Sequence, residues 1–155
     1  MENKENNNPQ PGLMILSQYI KDMSIEIPLA PEIFKEISSA PDVKVDINMK
    51  HRHLEDGTYE VLLNTKLDAT TNGKKLFIIE LSYGSVSAIN MPEDAIEPML
   101  YIELPRLMFP FVRSIVANSL SAAGLPPIMI SPIDFVALYQ AKKAQKAETE
   151  TKKKA

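Results

Sequence analysis

Residues 104–139 read LPRLMFPFVRSIVANSLSAAGLPPIMISPIDFVALY, and this stretch decides the architecture. Leu107, Met108, Phe111, Val112, Ile115, Val116 and Leu120 recur at steps of three and four, the spacing of one broad helical face. Pro105 suits the start of this helix. Pro110 is tolerated best in the first turn, where its missing N–H would have no partner anyway. Gly124 reads as the C-terminal stop, and Pro126-Pro127 forbid continuation. A second helix follows, with Ser131 as N-cap, Pro132 at the first helical position and Asp134 near the positive end. Between Met108 and Ala123 only Arg113 is ionised. A helix so poor in charge is covered on more than one side. In a chain of 155 residues that cover is expected from another subunit.

Working outward, the length implies one domain, and 45% apolar residues are enough for a core. The ordered domain is expected over residues 13–141. Residues 1–12, rich in Asn, Glu and Pro, and the Lys-rich residues 142–155 are expected to be disordered ends. The tail holds six Lys and two Glu, so a net charge of -3 for the whole chain leaves -7 on residues 1–141. An acidic body argues against nucleic-acid binding. Cysteine is absent, which excludes disulfides and thiol chemistry and fits a cytoplasmic location. No run approaches the ~18 apolar residues of a membrane span. The first residues, MENKENNNPQPG, lack the basic start and apolar stretch of a signal peptide, so no membrane insertion is expected.

Upstream of the helices the period changes to two. Tyr19, Met23, Ile25 and Ile27 alternate with Gln18, Asp22, Ser24 and Glu26 in a first strand that Lys21 interrupts and Pro28 and Pro31 end. Val43, Val45, Ile47 and Met49 form a cleaner second strand. Asp56-Gly57 marks a turn, Tyr59 to Leu67 a third strand, and Thr71-Asn72-Gly73 a hairpin into a fourth, Lys75 to Tyr83. Short links predict an antiparallel meander. In the fourth strand Phe77, Ile79, Leu81 and Tyr83 should face the core, with Leu76, Ile78, Glu80 and Ser82 opposite. Leu76 and Ile78 beside Glu80 read either as an isolated exposed apolar pair or as a contact patch with an acidic neighbour. Ser85 to Ile89 could extend the strand. Residues 90–104 show no period and read as a long loop whose apolar residues either pack under the helices or adapt to varied partners.

The residues of common chemistries are missing. His51-Arg52-His53 has no evident third metal ligand, so no metal is expected there. There is no phosphate loop, no dinucleotide fingerprint and no marked carboxylate pair, so no cofactor and no enzyme activity are expected. A sheet, a low-charge helix and an apolar loop together favour an oligomeric binding protein.

Several pieces in register resemble the SecB family of bacterial protein-export chaperones. Gln18-Tyr19-Ile20-Lys21-Asp22-Met23-Ser24-Ile25-Glu26-Ile27-Pro28, with Ala30-Pro31 and Phe34, looks like the family's first strand. Tyr59-Glu60-Val61 and Phe77-Ile78-Ile79-Glu80-Leu81 resemble its third and fourth strands. Leu107 to Arg113 looks like its first-helix start, and Leu125-Pro126-Pro127 with Ser131 to Tyr139 like its ending. Two departures stand out. Tyr83-Gly84-Ser85-Val86-Ser87 lacks the family's double glycine and phenylalanine, and the tail is basic where better-known relatives end acidic.

The resemblance implies an α+β fold, a four-stranded antiparallel sheet with two helices on one face, assembled as a dimer of dimers. Ile79, Leu81, Phe111, Ile115 and Val116 are the oligomer-interface residues expected on that basis. It implies an ATP-independent chaperone that holds non-native precursor proteins competent for translocation and delivers them to the SecA motor. An alternative is a SecB-like chaperone of narrow clientele, such as an antitoxin. The expected SecA-binding patch, by matched position, is Asp22, Glu26, Ile78 and Glu80, which strand alternation also puts on the polar face. Met91, Ile96, Met99, Leu100 and Leu104 are the expected lining of a groove for unfolded clients.

Overall fold

A computed structural model of the chain describes residues 12–55 and 57–154. The expectation of a disordered 1–12 and the Asp56 half of the first turn therefore lie almost wholly outside the described residues. Four strands, β1 (Gly12–Glu26), β2 (Asp42–His53), β3 (Thr58–Thr71) and β4 (Lys74–Asn90), form one antiparallel sheet in the order β1-β4-β3-β2. Strands β2 to β4 make the expected meander. β1 does not join it beside β2. A link containing the 3-10 turn Glu32–Glu36 carries the chain to the opposite edge, and β1 pairs with β4. The link buries Ile33 in the core, which ties the crossing down. The hairpin at Asn72-Gly73 has both residues at positive φ, as a tight two-residue turn requires.

Irregularities in two of the ladders re-aim side chains. β1 has register shifts between Ile15 and Ser17 and between Ile20 and Asp22, so Lys21 is an extra residue in the ladder. Tyr19 therefore lies on the outer side of the sheet and not with Met23, as strict alternation would have it. Its ring lies against Gly84, where a Cβ would come within 2.6 Å of the ring. The irregularity in the β3–β4 ladder falls opposite Ala69 and Thr70, whose partners are Phe77 and Lys75. Leu76 is left over between them. It is 1% exposed, as is Phe77, so the expected placement of Leu76 on the solvent face is overturned.

Residues 90–104 are not a loop. Helix α1 (Glu93–Pro98), a π-helical turn (Met99–Glu103) and helix α2 (Leu104–Ala122) follow one another directly. A π turn breaks the 3.6-residue period, which is why this segment shows no pattern in sequence. In α2, Leu104, Met108, Val112, Val116 and Leu120 are each fully buried and stand one turn apart, facing Val61, Leu63, Leu67, Ile79 and Leu81 in one core cluster. Pro110 lies inside α2 and not in its first turn. It is exposed, as is Arg106 four residues earlier, so the carbonyl it leaves unpaired is on the solvent side. Gly124 ends the helix at φ +83°. Gly124 N–H donates to Ser121 O at 3.2 Å and Leu125 N–H to Leu120 O at 2.9 Å, and both leucines are buried.

Helix α3 is Phe135–Lys154. Its cap is Asp134 and not Ser131: Ala137 N–H donates to Asp134 Oδ1 at 3.0 Å. A carboxylate there also meets the helix's positive end. Residues 142–154, expected as part of a disordered end, continue helix α3. Phe135 and Tyr139 anchor its first turns, and Ala, Lys, Gln and Glu propagate a helix once it is nucleated. Residues 140–154 are exposed.

Candidate functional site

The sheet presents two candidate surfaces. The first is its outer face, away from α2. In the β1–β4 register Asp22 lies opposite Ser82, Ser24 opposite Glu80 and Glu26 opposite Ile78, so the four expected patch residues are neighbours on two paired strands. Asp22, Glu26 and Glu80 are exposed and Ile78 is half-buried. Asp22 and Glu80, together with Asp46, Asn64 and Lys66, border a depression of about 350 Å³. Asp46 was not among the residues expected here. The signal was present, because Asp46 alternates with Val45 and Ile47, but only the sheet order places it across from Glu80. Lys66 Nζ stands 3.7 Å from Glu80 Oε1, both exposed, and such a pair is weak. Nearer the turn, Lys75 donates to Asp68, and this hydrogen bond holds the Asp68 carboxyl below its usual range. The patch can attract a cationic segment and offers Ile78 as an apolar contact.

The second surface lies at the β2 edge. β2 ends the sheet, so its outer row of backbone groups has no strand partner among the described residues. Val45, Ile47, Ile130, Ser131, Pro132, Ile133 and Leu138 line a groove of about 320 Å³ beside it. Met129, 60% exposed, and Val136, 37% exposed, add apolar surface nearby on the same segment. None of these residues was expected as client-binding. The apolar run Ile128-Met129-Ile130 between two proline clusters was the available signal.

The expected groove residues are elsewhere. Leu100 and Leu104 are 3% and 0% exposed, so they belong to the core. Met91, Ile96 and Met99 are half-buried against the core and do not line this groove. The inserted π turn rotates the segment and puts Leu100 inward. The expected oligomer residues divide too. Ile79, Leu81 and Val116 are buried within the protomer at 2% exposure or less, because the inward strand positions and the inner stripe of α2 cover one another. Phe111 is 50% exposed and Ile115 half-buried.

A clasp also ties α3 to the sheet. His51 Nε2 and Tyr101 Oη are 3.0 Å apart, Tyr101 stacks on Tyr139, and Lys142 Nζ donates to Met49 O at 2.8 Å. Burial, with Lys142 nearby, pushes the His51 pKa down, so the imidazole is neutral at pH 7. Among the described residues no group of His, Asp and Glu could hold a metal ion.

A family model described as preprotein translocase subunit SecB matches residues 6–146. The chain belongs to the SecB family. The protein-export protein SecB of Paramagnetospirillum magneticum is 45% identical, over 87% of this chain and 88% of its own length. That of Azorhizobium caulinodans is 43% identical over 91% and 89%. A solved SecB-like chaperone from Mycobacterium tuberculosis, in complex with an antitoxin peptide, superposes with a TM-score of 0.67 at 9% identity, over 78% of this chain and 90% of that one. At that identity it shows the shared fold. SecB proteins are chaperones of protein export and not enzymes, and that is the class of this chain. No helix among the described residues is long and apolar enough to cross a membrane.

Proposed function

We propose that this SecB protein is an ATP-independent cytoplasmic holdase that binds non-native precursor chains along the β2-edge groove and passes them to the SecA motor through the acidic outer face, as a dimer of dimers. The observation that carries the proposal is the separation of an apolar, open-edged groove from an acidic patch on the same sheet. An unfolded chain brings apolar side chains and unpaired backbone. The groove offers apolar area, worth about 25 cal/mol per Å² buried before ordering costs, and the β2 edge offers sequence-tolerant backbone pairing. Holding the unfolded state lowers the population of folded precursor, so the chain remains threadable. Asp22, Glu26 and Glu80 suit a basic docking segment of SecA, with Ile78 adding apolar contact.

Assembly is supported by what a single protomer leaves exposed. Leu107 and Phe111 project from α2 at about half exposure, and Met14, Leu16 and Ile20 project from the edge strand β1. Arg113 Nε is buried without a hydrogen-bond partner among the described residues, its guanidinium resting over the Phe109 ring.

The test is calorimetric titration of SecA and of an unfolded precursor into the wild type and into the Asp22→Lys/Glu80→Lys variant. SecA affinity is expected to fall at least about tenfold, from two charge reversals in a steering patch. Affinity for the unfolded chain should stay within about twofold, because the groove is untouched. Unchanged SecA affinity would sink the site assignment.

A further inference from the structure

The outer face is acidic at one end only. Along β2 the side chains on this face run Asp46, Asn48, Lys50, Arg52, and the bulge on β1 swings Lys21 toward the last two. Lys21, Lys50 and Arg52, with Glu60 and Leu62, border a second depression, of about 230 Å³. Its floor is built around one carboxylate. Glu60 is 6% exposed and accepts hydrogen bonds from Tyr19 Oη, from Lys21 Nζ at 3.1 Å and from Arg52 Nε at 3.1 Å. Tyr19 reaches it by lying over Gly84, which has no side chain to obstruct the ring. The three cations against one carboxylate leave an excess of two positive charges, on a body that carries -7. Arg52 engages Glu60 through Nε alone. Its two terminal nitrogens and the Lys50 ammonium meet no acidic group among the described residues.

We propose that this depression is an anion subsite that takes the carboxylate of an Asp or Glu side chain on an extended protein segment laid across the outer face. The outer edge of the Arg52 guanidinium matches a carboxylate with two parallel donors, and Lys50 supplies a third. The inference rests on the reading of the outer face as the SecA-docking surface and deepens it. Asp46 and Lys50 are four residues apart on one strand, about 13 Å at the usual rise. The segment that fits therefore carries a basic group at one end and an acidic residue about four positions away. Such a charge pair fixes the direction in which the segment lies, which an acidic patch alone does not.

Lys50 makes no bond to Glu60, so Lys50→Gln leaves the buried network intact, while Arg52→Gln tests the guanidinium itself. SecA titrations should show affinity about threefold to fivefold weaker for Lys50→Gln, and more for the double variant, with Asp22→Lys weaker as well. If Asp22→Lys weakens binding and neither Lys50→Gln nor Arg52→Gln does, the docking face stands and the subsite is overturned. If Asp22→Lys is without effect, the docking face itself falls. The subsite is then judged by a second measurement on the full chain: amide and Arg52 Nε–H resonances followed during titration with a blocked diglutamate peptide at constant ionic strength. Shifts at residues 50–52 that vanish in the double variant support the subsite. No shifts, or shifts with inorganic phosphate and none with the peptide, overturn it.

Discussion

Glu60 shows how one side chain can tie three segments of a sheet together. It sits on β3 and is bonded by Tyr19 and Lys21 of β1 and by Arg52 of β2. The Tyr19 hydroxyl, foremost, then Lys21 and Arg52, hold its carboxyl below the usual range against the opposing effect of burial. Burial and the neighbouring Glu60 push Tyr19 up to about 12. The signs follow. A depressed carboxyl adds stability that is present above its unfolded pKa, about 4.3, and is lost as pH falls through the folded value. A raised phenol adds stability that is present below about 10 and is lost as pH climbs through 12. The network thus holds fully between roughly pH 4.3 and 10. Glu60→Gln keeps one acceptor but turns an amide N–H₂ toward the cations. It should cost about 2 kcal/mol at pH 7, because Lys21 and Arg52 remain partly solvated and soften the loss. Urea denaturation of both proteins at pH 7 and at pH 3 checks this. The difference should shrink at the lower pH. A difference that stayed constant would show that Glu60 acts by shape and not by charge.

At the scale of elements, α2 is two-sided. Its inner stripe, from Leu104 to Leu120 in steps of one turn, is saturated by the protomer's own sheet, while Leu107 and Phe111 are about half exposed and the Phe111 ring stacks on Tyr83. Phe111→Lys is therefore expected to cost the protomer about 1 kcal/mol, from the lost stacking on Tyr83, and to reduce the assembly to a smaller species in sedimentation velocity. Val116→Lys, 0% exposed and only five residues on, should instead unfold the chain by burying an unpaired charge. A tetramer that survived Phe111→Lys would remove this face from the interface. These two residues also mark the limit of what the sequence discloses. Helical period identified α2, and strand alternation identified β2, β3 and the outer set Asp22, Glu26, Ile78 and Glu80. Neither could tell which apolar residues the chain covers itself, so Val116, Ile79 and Leu81 read the same as Phe111. Where the backbone leaves its period the reading failed. The extra residues at Lys21 and Leu76 each reversed a neighbour's face, and the π turn hid a helix in residues 93–103. Lys21 did show in sequence as a break in the apolar row, though not as a bulge. The position of β1 beside β4 has no local signal, since it follows from long-range pairing. The helical tail was missed because its composition was weighed as charge, where its Ala, Lys and Glu propensity governs once Phe135 and Tyr139 are docked.

The whole molecule carries two chemically different surfaces on one sheet. One is an acidic, exposed face and the other an apolar groove beside an open strand edge. Their physics differ in response to salt. Exposed charges are screened beyond about 10 Å at 0.1 M salt and beyond about 3 Å at 1 M, whereas burial of apolar area is not weakened by salt. Docking to SecA should therefore weaken steeply between 0.05 and 0.5 M salt, by about tenfold or more, while binding of an unfolded precursor changes by no more than about twofold. Precursor binding should also carry a negative heat-capacity change, the marker of apolar burial, and should disappear when the same precursor is folded beforehand. Calorimetry with both ligands at two salt concentrations and two temperatures reads all of these together. Salt-insensitive docking would move the SecA contact off the acidic face. Salt-sensitive precursor binding without a heat-capacity change would mean that clients are held by charge and not in the β2-edge groove. The predicted pattern, one ligand released by salt and the other retained, would show that SecA docks through a surface whose physics is independent of the one that holds the precursor, so that a loaded chaperone can still dock.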